Sequence, residues 1–259
     1  MISLFIDFLE VYGPADWGHV SKDCDDRSQS PVNIDTSKVD IVGSGHVDRE
    51  RVQFKELSSY AGGTLANNGH SLTFTVKEGG MTFKNPINGQ NYELAQIHFH
   101  FGCDDSVGSE HTVDGKHYPG EMHLVLFNTK YGDIDTAATK PDGLTVIAVF
   151  LEKDNYKVII SGGRINVLTG FSMRAGKISN EGAEIPFGVR LANLVPGFVN
   201  GRLVYYSYQG SLTTPGCYQS VSWLVLFKPI KADGFVVSAM FLLCSFFWHT
   251  KNTTTTKLL

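Results

Sequence analysis

Three histidines stand where their side chains could bind one metal ion. His98 and His100 lie two residues apart in a β-rich segment, and His123 lies in a second such segment. Because successive side chains of a strand alternate between its two faces, His98 and His100 share one face. If the two strands pair, three imidazoles converge and would leave a tetrahedral zinc ion one open position, which is the arrangement of a catalytic site.

Two further polar side chains are placed to support these histidines. Gln96 and Glu121 each precede a histidine of the set by two residues and share its face. An imidazole that binds a metal usually donates its other N–H to such a group, which fixes the tautomer and the orientation of the ring. The alternative interpretation is that the three histidines are ordinary half-buried polar residues among the nine in the chain.

The segments that carry these residues predict a mainly β protein with a few short helices. Short β-rich runs bounded by glycine and asparagine turns recur at residues 71–76, 92–101, 122–128, 144–152, 202–208 and 221–228. A long-helix pattern is hard to find in the sequence. Residues 155–167 are the candidate, but they are too rich in β-branched residues and glycine for a helix. We expect a large central sheet in which both faces of the histidine-bearing strands are buried.

The composition limits the class of protein. The chain has 259 residues, enough for a substantial core, and its 19% charged and 12% aromatic residues suit a globular protein. Its net charge of −4 is small and not clustered, so we expect no nucleic-acid partner. No repeat, linker or low-complexity tract interrupts residues 10–230.

Both ends of the chain carry apolar segments. Residues 1–6 are followed at once by acidic residues and no basic residue precedes them, unlike a signal peptide. Residues 235–248 are uncharged and would extend about 21 Å as a helix, short of the roughly 30 Å hydrocarbon core of a bilayer. This second segment is interpreted as a buried helix, a marginal membrane anchor or an artefact of the gene model. Asn252 begins a glycosylation sequon, which matters only if the tail is luminal.

Seven segments of the chain together resemble the α-class carbonic anhydrases. They are residues 28–34, 67–70, 96–102, 108–113, 121–125, 128–132 and 210–215. They occur in the family's order and with nearly its spacing over residues 13–229. The resemblance implies a single domain around a large, mostly antiparallel twisted central β-sheet that carries the zinc site.

The resemblance also implies the chemistry. His98, His100 and His123 would bind zinc. The metal would lower the pKa of a bound water, for which carbonic anhydrase is the standard example, and the resulting hydroxide would attack CO₂ reversibly to give bicarbonate and a proton. Thr213 matches the threonine that accepts the hydroxide proton, and Glu110 matches the glutamate to which that threonine donates. Because a carboxylate only accepts hydrogen bonds, it directs the Thr213 hydroxyl and thereby orients the hydroxide. Without the resemblance, Thr213 is a turn residue and Glu110 a solvated loop carboxylate.

Other matched positions complete the implied site. His70 matches the histidine that passes the proton to buffer, a role suited to an imidazole with a pKa of about 6.5. Thr214 matches a contact to bicarbonate. Five side chains match the family's apolar wall of the CO₂ pocket: Val125, Val146, Leu212, Val221 and Trp223. Taken without the family, each of these five is a core residue, and His70 is a turn residue.

The chain has four cysteines and no CxxC pair, which disfavours a cysteine zinc site and leaves open which two would form a disulfide. Cys24 and Cys217 match the pair that extracellular members of the family join. The resemblance therefore implies an oxidising compartment and a secreted or extracellular-facing protein. Cys103 and Cys244 match no cysteine of the family and are expected to be free thiols.

Two departures from the family pattern bear directly on the site. Gly216 stands where a second proline usually follows the Thr-Thr-Pro of the active-site loop, and the absence of this proline would loosen the loop. The recognisable motifs end near Pro229, beyond which the family has a backbone carbonyl that orients the histidine matched by His100. We therefore expect residues 10–230 to be the catalytic domain and residues 231–259 to be an unrelated apolar tail.

The leading hypothesis is a monomeric zinc-dependent lyase with CO₂, water and bicarbonate as substrates, and membrane association through the tail stays open. One alternative is a catalytically impaired or silent carbonic-anhydrase-like binding module. Such relatives lose a zinc histidine, whereas all three are present here. Another alternative is a β-barrel metal site of the cupin type, whose glutamate ligand follows the HxH pattern within a few residues. Glu110 lies ten residues after His100, which disfavours that alternative.

Overall fold

In the part of the chain that the structure describes, a sheet of nine strands dominates, and a two-stranded sheet and short helices accompany it. The computed structural model describes residues 14–40, 53–69, 71–102, 104, 106–153, 167–195, 197–198, 201 and 203–232. The strands are β1 Asn33–Ile34, β2 Gln53–Asn67, β3 Leu72–Lys84, β4 Asn91–Phe101, β5 Thr112–Val113, β6 Gly120–Asn128, β7 Leu144–Lys153, β8 Glu184–Val189, β9 Tyr205–Gly210, β10 Val221–Leu226 and β11 Ile230–Ala232.

The large sheet has the strand order β8-β2-β3-β4-β6-β7-β10-β9, with β11 paired to β7. Its pairings are antiparallel except those of β7 with β10 and with β11, which are parallel. The small sheet pairs β1 and β5 in parallel. The predicted fold class, mainly β with short helices around a large, mostly antiparallel sheet, is confirmed.

Strand β4 changes part-way along its length from even-numbered to odd-numbered residues facing the larger core. Tyr92 and Leu94 are buried in the first half, and Ile97 and Phe99 are buried in the second. The three-residue step between Leu94 and Ile97 coincides with a register shift against β6 between residues 94 and 96. Such a bulge adds one residue to one strand and reverses the alternation that follows. It thereby turns His98 and His100 toward the face opposite the larger core.

Two hydrophobic clusters cover the two faces of the central strands. The larger cluster includes Phe74, Phe83, Ile97, Phe99, Met122 and Leu124. The second cluster includes Val125, Val146, Ala148, Val221 and Trp223. Leu124 and Val125 are consecutive in β6 yet belong to different clusters, because neighbouring strand side chains point to opposite faces. The central strands are therefore buried on both sides, as the sequence predicts.

The helices are short. Helix α1 is Ile134–Ala138, and the Asp133 side chain caps it by accepting a hydrogen bond from the Thr136 N–H at 2.7 Å. Helix α2 is Val167–Ala175, and its Phe171 ring lies against the rings of Phe99 and Phe187. The 3₁₀ helices are Pro14–His19, Lys22–Asp25, Thr36–Lys38, Thr129–Tyr131 and Leu191–Asn193. Among the helices of the described residues, none has the length and apolar character needed to cross a membrane.

Strand β11 spans the predicted boundary between domain and tail at residue 230. It pairs with residues 151–153 of β7, beyond the stretch of β7 that pairs with β10, and its Ile230 and Ala232 are buried. The large sheet therefore extends to residue 232. The apolar segment 235–248 and the sequon at Asn252 lie outside the described residues.

Candidate metal centre

The three histidines of the predicted set lie together on one face of the sheet. Strands β4 and β6 pair so that His98 is directly opposite His123, and His100 lies two residues along β4 on the same face. Nε2 of His98 is 3.2 Å from Nδ1 of His123. The ring centroids of His98, His100 and His123 are 4.6–5.0 Å apart, and one ring nitrogen from each lies within 4.8 Å of the others.

Glu121 is buried and accepts hydrogen bonds from two imidazoles. Its Oε1 lies 2.7 Å from Nε2 of His123 and 2.6 Å from Nδ1 of His111, and its Oε2 accepts from the His111 backbone N–H at 2.9 Å. Burial disfavours the carboxylate, but the hydrogen bonds from His111 and His123 outweigh it and lower the pKa of Glu121. An ionised Glu121 keeps the His123 proton on Nε2 and leaves Nδ1 facing His98 as a metal donor.

Sequence reasoning missed His111 and the residues that hold it. His111 is fully buried, and its Nε2 lies 2.7 Å from the hydroxyl of Tyr208, which is 2.9 Å from Oγ of Ser30. These contacts link Glu121 in β6 to the edge strand β9 and to the N-terminal segment. The available signal was that His111 and Ser30 both lie within segments that resemble the family, although nothing in those segments indicates that they meet.

Glu110 lies beside the histidines and is largely buried. Its Oε1 is 3.3 Å from Nδ1 of His100, its Oε2 is 3.9 Å from Nδ1 of His123, and its side chain is 18% exposed. Burial raises the pKa of Glu110 from 4.5 to about 7, against the opposing effects of His123 and of a hydrogen bond from Thr213. The structure thus brings Glu110 and Thr213 together next to the three imidazoles.

The five predicted wall residues fall in the second hydrophobic cluster. Val125, Val146, Val221 and Trp223 are buried there, and Leu212 is half-buried against them. The Trp223 ring lies 5.0 Å from the His123 ring between centroids, and its Nε1–H donates to the Ser211 carbonyl at 3.2 Å. An apolar surface therefore adjoins the histidines on the side of β6, β7 and β10.

Cys24 and Cys217 form a disulfide, as the resemblance implied. The bond joins the N-terminal segment to the segment of residues 211–220 that also carries Thr213. Cys217 has a backbone φ of 43°, and Gly216 before it has a φ of 110°, a conformation that proline cannot adopt. The glycine that departs from the family pattern thus matches the backbone that this segment adopts.

The remaining predicted residues stand as follows. Gln96 is half-buried on β4, opposite Val125 of β6. Thr214 is exposed, one residue after the half-buried Thr213. His70, Cys103 and Cys244 lie outside the described residues, so their predicted roles and thiol states stay predictions.

Comparison with known proteins identifies the family of the chain. A model of the eukaryotic-type carbonic anhydrases matches residues 12–254. The chain belongs to the eukaryotic-type carbonic anhydrase family. The family match continues past Pro229, where the recognisable motifs end, and includes most of the predicted tail.

Two carbonic anhydrases illustrate the relationship. The chain is 33% identical to carbonic anhydrase 15 of Mus musculus over 227 residues, which are 82% of this chain and 64% of that protein. It is 34% identical to carbonic anhydrase 1 of Monodelphis domestica over 230 residues, which are 85% of this chain and 79% of that protein. The chain therefore spans less than two thirds of the length of the mouse relative.

The donor set fits the zinc that carbonic anhydrases generally use. Tetrahedral zinc with Zn–N bonds of about 2.0–2.1 Å places two ligand nitrogens roughly 3.3–3.4 Å apart. The observed separation of 3.2 Å between Nε2 of His98 and Nδ1 of His123 is close to this value. Three imidazole nitrogens with one anchored by a carboxylate are the donors and support that such a site requires.

Proposed function

We propose that this chain is a zinc-dependent lyase that hydrates CO₂ reversibly to bicarbonate and a proton. The observation that supports this most directly is the convergence of His98, His100 and His123, with the buried Glu121 carboxylate 2.7 Å from Nε2 of His123. These three imidazoles would hold the ion. We further propose that Gln96 supports His98 from the same face of β4.

Zinc, when bound, would acidify a bound water and so supply a nucleophile near neutral pH, for which carbonic anhydrase is the standard example. The protein's own contribution is orientation. Glu110 is adjacent to His100 and receives a hydrogen bond from Thr213. In its ionised form Glu110 only accepts, so the Thr213 hydroxyl must donate to it and can accept only from the attacking group. This arrangement aims a lone pair of that group at the substrate.

The proposed substrate pocket is the apolar surface beside the histidines. CO₂ is apolar, and Val125, Val146, Leu212, Val221 and Trp223 belong to one hydrophobic cluster. Thr214 would contact bicarbonate, which is charged and favours an exposed hydroxyl donor. His70 would relay the proton to buffer, since a histidine exchanges protons readily near neutral pH.

We also propose that the protein acts as a secreted or extracellular-facing monomer. The disulfide between Cys24 and Cys217 supports an oxidising compartment, because such bonds persist there and are rare in the cytosol. CO₂, water and bicarbonate would be its substrates.

The decisive experiment measures bound zinc and stopped-flow CO₂ hydration for the purified protein and two variants. His98→Ala removes one of the three ring nitrogens and should abolish both stoichiometric zinc binding and CO₂ hydration. His117→Ala removes an exposed histidine from the segment before β6 and should leave both unchanged. Comparing the two variants separates the specific role of His98 from the general effect of removing one histidine.

Two results would contradict the proposal. Hydration that survives in the His98→Ala variant would show that the three imidazoles do not form the catalytic centre. A wild-type protein that folds and binds zinc at a ratio of one but hydrates no CO₂ would favour the silent binding module instead.

A further inference from the structure

Ser211 is a buried anchor two residues before Thr213. It is completely buried, and its N–H, carbonyl and hydroxyl are each hydrogen-bonded. The Ser211 N–H donates to Oγ of Ser30 at 3.1 Å, the Ser211 Oγ accepts from the Ser30 N–H at 2.9 Å, and the Ser211 carbonyl accepts from Trp223. The segment that carries Thr213 is therefore firmly held at its start.

The preceding glycine permits this close packing. A Cβ atom on Gly210 would lie 2.2 Å from Oγ of Ser30 and 3.1 Å from Cδ1 of Trp223. A side chain at this position would push apart the two groups that hold Ser211. Gly210 thus allows the N-terminal segment to lie directly against the end of β9.

Gln29 contacts both ends of the same segment. Its Oε1 lies 3.1 Å from the Ser211 hydroxyl, which is also 2.9 Å from the Leu212 carbonyl. Its Nε2 donates to the Cys217 carbonyl at 3.4 Å and to the Asp23 carbonyl at 2.9 Å. One half-buried carboxamide thus spans residues 211–217, with Thr213 between its two contacts. Both N–H groups and the oxygen of the carboxamide have partners, and an apolar side chain of similar size would make none of these hydrogen bonds.

We propose that Gln29 is a positioning residue that holds both ends of residues 211–217 and thereby sets the orientation of the Thr213 hydroxyl at the metal centre. The proposal rests on the proposed function, because it assigns Thr213 the orienting role described above. The disulfide alone holds only one end of the segment, at Cys217. Ser30 and Trp223 hold the other end at Ser211, and the Gln29 carboxamide connects the two ends through a single side chain.

The functional test is a double-mutant cycle with a matched control. Gln29→Met keeps the size of the side chain and removes all three hydrogen bonds. We expect kcat/KM for CO₂ hydration to fall about tenfold, since small misplacements of an orienting group cost one to two orders of magnitude. In a Thr213→Ala background the same substitution should change kcat/KM less than about twofold, because the group it positions is gone. Gln219→Met removes a hydrogen bond to Asp26 between the same two segments, outside residues 211–217, and should leave kcat/KM unchanged.

Amide hydrogen exchange tests the hold without reference to activity. The Leu212 N–H donates to the Tyr218 carbonyl at 3.0 Å, and the Cys217 N–H donates to the Thr214 carbonyl at 2.9 Å. Gln29→Met should accelerate exchange at both amides about tenfold, whereas Gln219→Met should not. Gln29→Glu keeps the oxygen near Ser211 and loses the donors, so it should accelerate exchange at Cys217 more than at Leu212.

The outcomes separate this proposal from the proposed function. Unchanged exchange at both amides in a folded Gln29→Met protein overturns the positioning role, whatever the activity. A tenfold loss of kcat/KM that persists in the Thr213→Ala background also overturns it, because Gln29 would then act through another group. If the wild-type protein hydrates no CO₂, the proposed function fails, and faster exchange at Leu212 and Cys217 still supports the hold exerted by Gln29.

Discussion

Substituting Glu110 by glutamine should stabilise the metal-free protein at alkaline pH. The carboxyl is 18% exposed, and burial raises its pKa from 4.5 to about 7. The folded state therefore binds this proton more tightly than the unfolded state, and stability falls as the pH rises between these two values. A difference of 2.5 pKa units corresponds to about 3 kcal/mol of unfolding free energy lost above pH 7 and almost none lost at pH 4.

Glu110→Gln resembles the neutral carboxyl at every pH and escapes this loss. We expect the variant to exceed the wild type by about 3 kcal/mol at pH 8 and by less than about 1 kcal/mol at pH 5. The assay is urea denaturation in the presence of a chelator, followed by tryptophan fluorescence at the two pH values. Glu93→Gln changes an exposed glutamate of the same sheet and serves as the control, with little effect expected at either pH.

The reasoning fails if the advantage of Glu110→Gln is the same at pH 5 and pH 8, because the effect would then come from packing and not from the charge. It also fails if the variant is less stable than the wild type at pH 8. The zinc-loaded variant should hydrate CO₂ more slowly than the wild type, since a glutamine amide can donate to Thr213 and leave its hydroxyl without a fixed direction. A residue that costs stability and supports activity is the pattern expected of a functional group.

Three further predictions concern the support of the site. Replacing Cys24 and Cys217 together by serine removes a link across 193 residues, for which loop-closure entropy gives at most about 5 kcal/mol. We expect urea denaturation to show an unfolding free energy lower by about 2–5 kcal/mol. A decrease below about 1 kcal/mol would contradict the entropic argument. Burial opposes the charged form of His123, but its hydrogen bond to Glu121 raises the pKa of His123, so protons should displace zinc as the pH falls. Chelator competition should show that Glu121→Gln moves the pH at which half of the zinc is released to a lower value. An unchanged pH of half-release would refute the coupling between Glu121 and His123. Tyr208→Phe leaves the buried imidazole of His111 without its hydroxyl partner and should lower the unfolding free energy by about 1–3 kcal/mol. An unchanged unfolding free energy would show that this contact is dispensable.

Most central strands can be predicted from the chain alone. The runs at residues 92–101, 122–128 and 144–152 match β4, β6 and β7 to within two residues, because short β-rich runs between turn residues are a local property. Strand β2, at Gln53–Asn67, was not predicted, since its glycines and serines weaken the alternation. Its register shifts against β3 interrupt the pattern further, so its pairing partners and not its own residues define it as a strand.

The sequence by itself determined which residues could bind a metal and on which face of their strands they lie. The spacing of His98 and His100 and the two-residue offset of Glu121 are local, and strand alternation converts such spacing directly into shared faces. Only the tertiary structure decided that Glu121 serves His111 as well as His123, that Glu110 lies against His100, and that Gln29 reaches both ends of the segment carrying Thr213. These contacts join residues from separate elements, up to 188 positions apart in the last case, and their partners follow from sheet register and chain topology. Local spacing thus specifies the candidate ligands, whereas long-range packing specifies what holds and orients them.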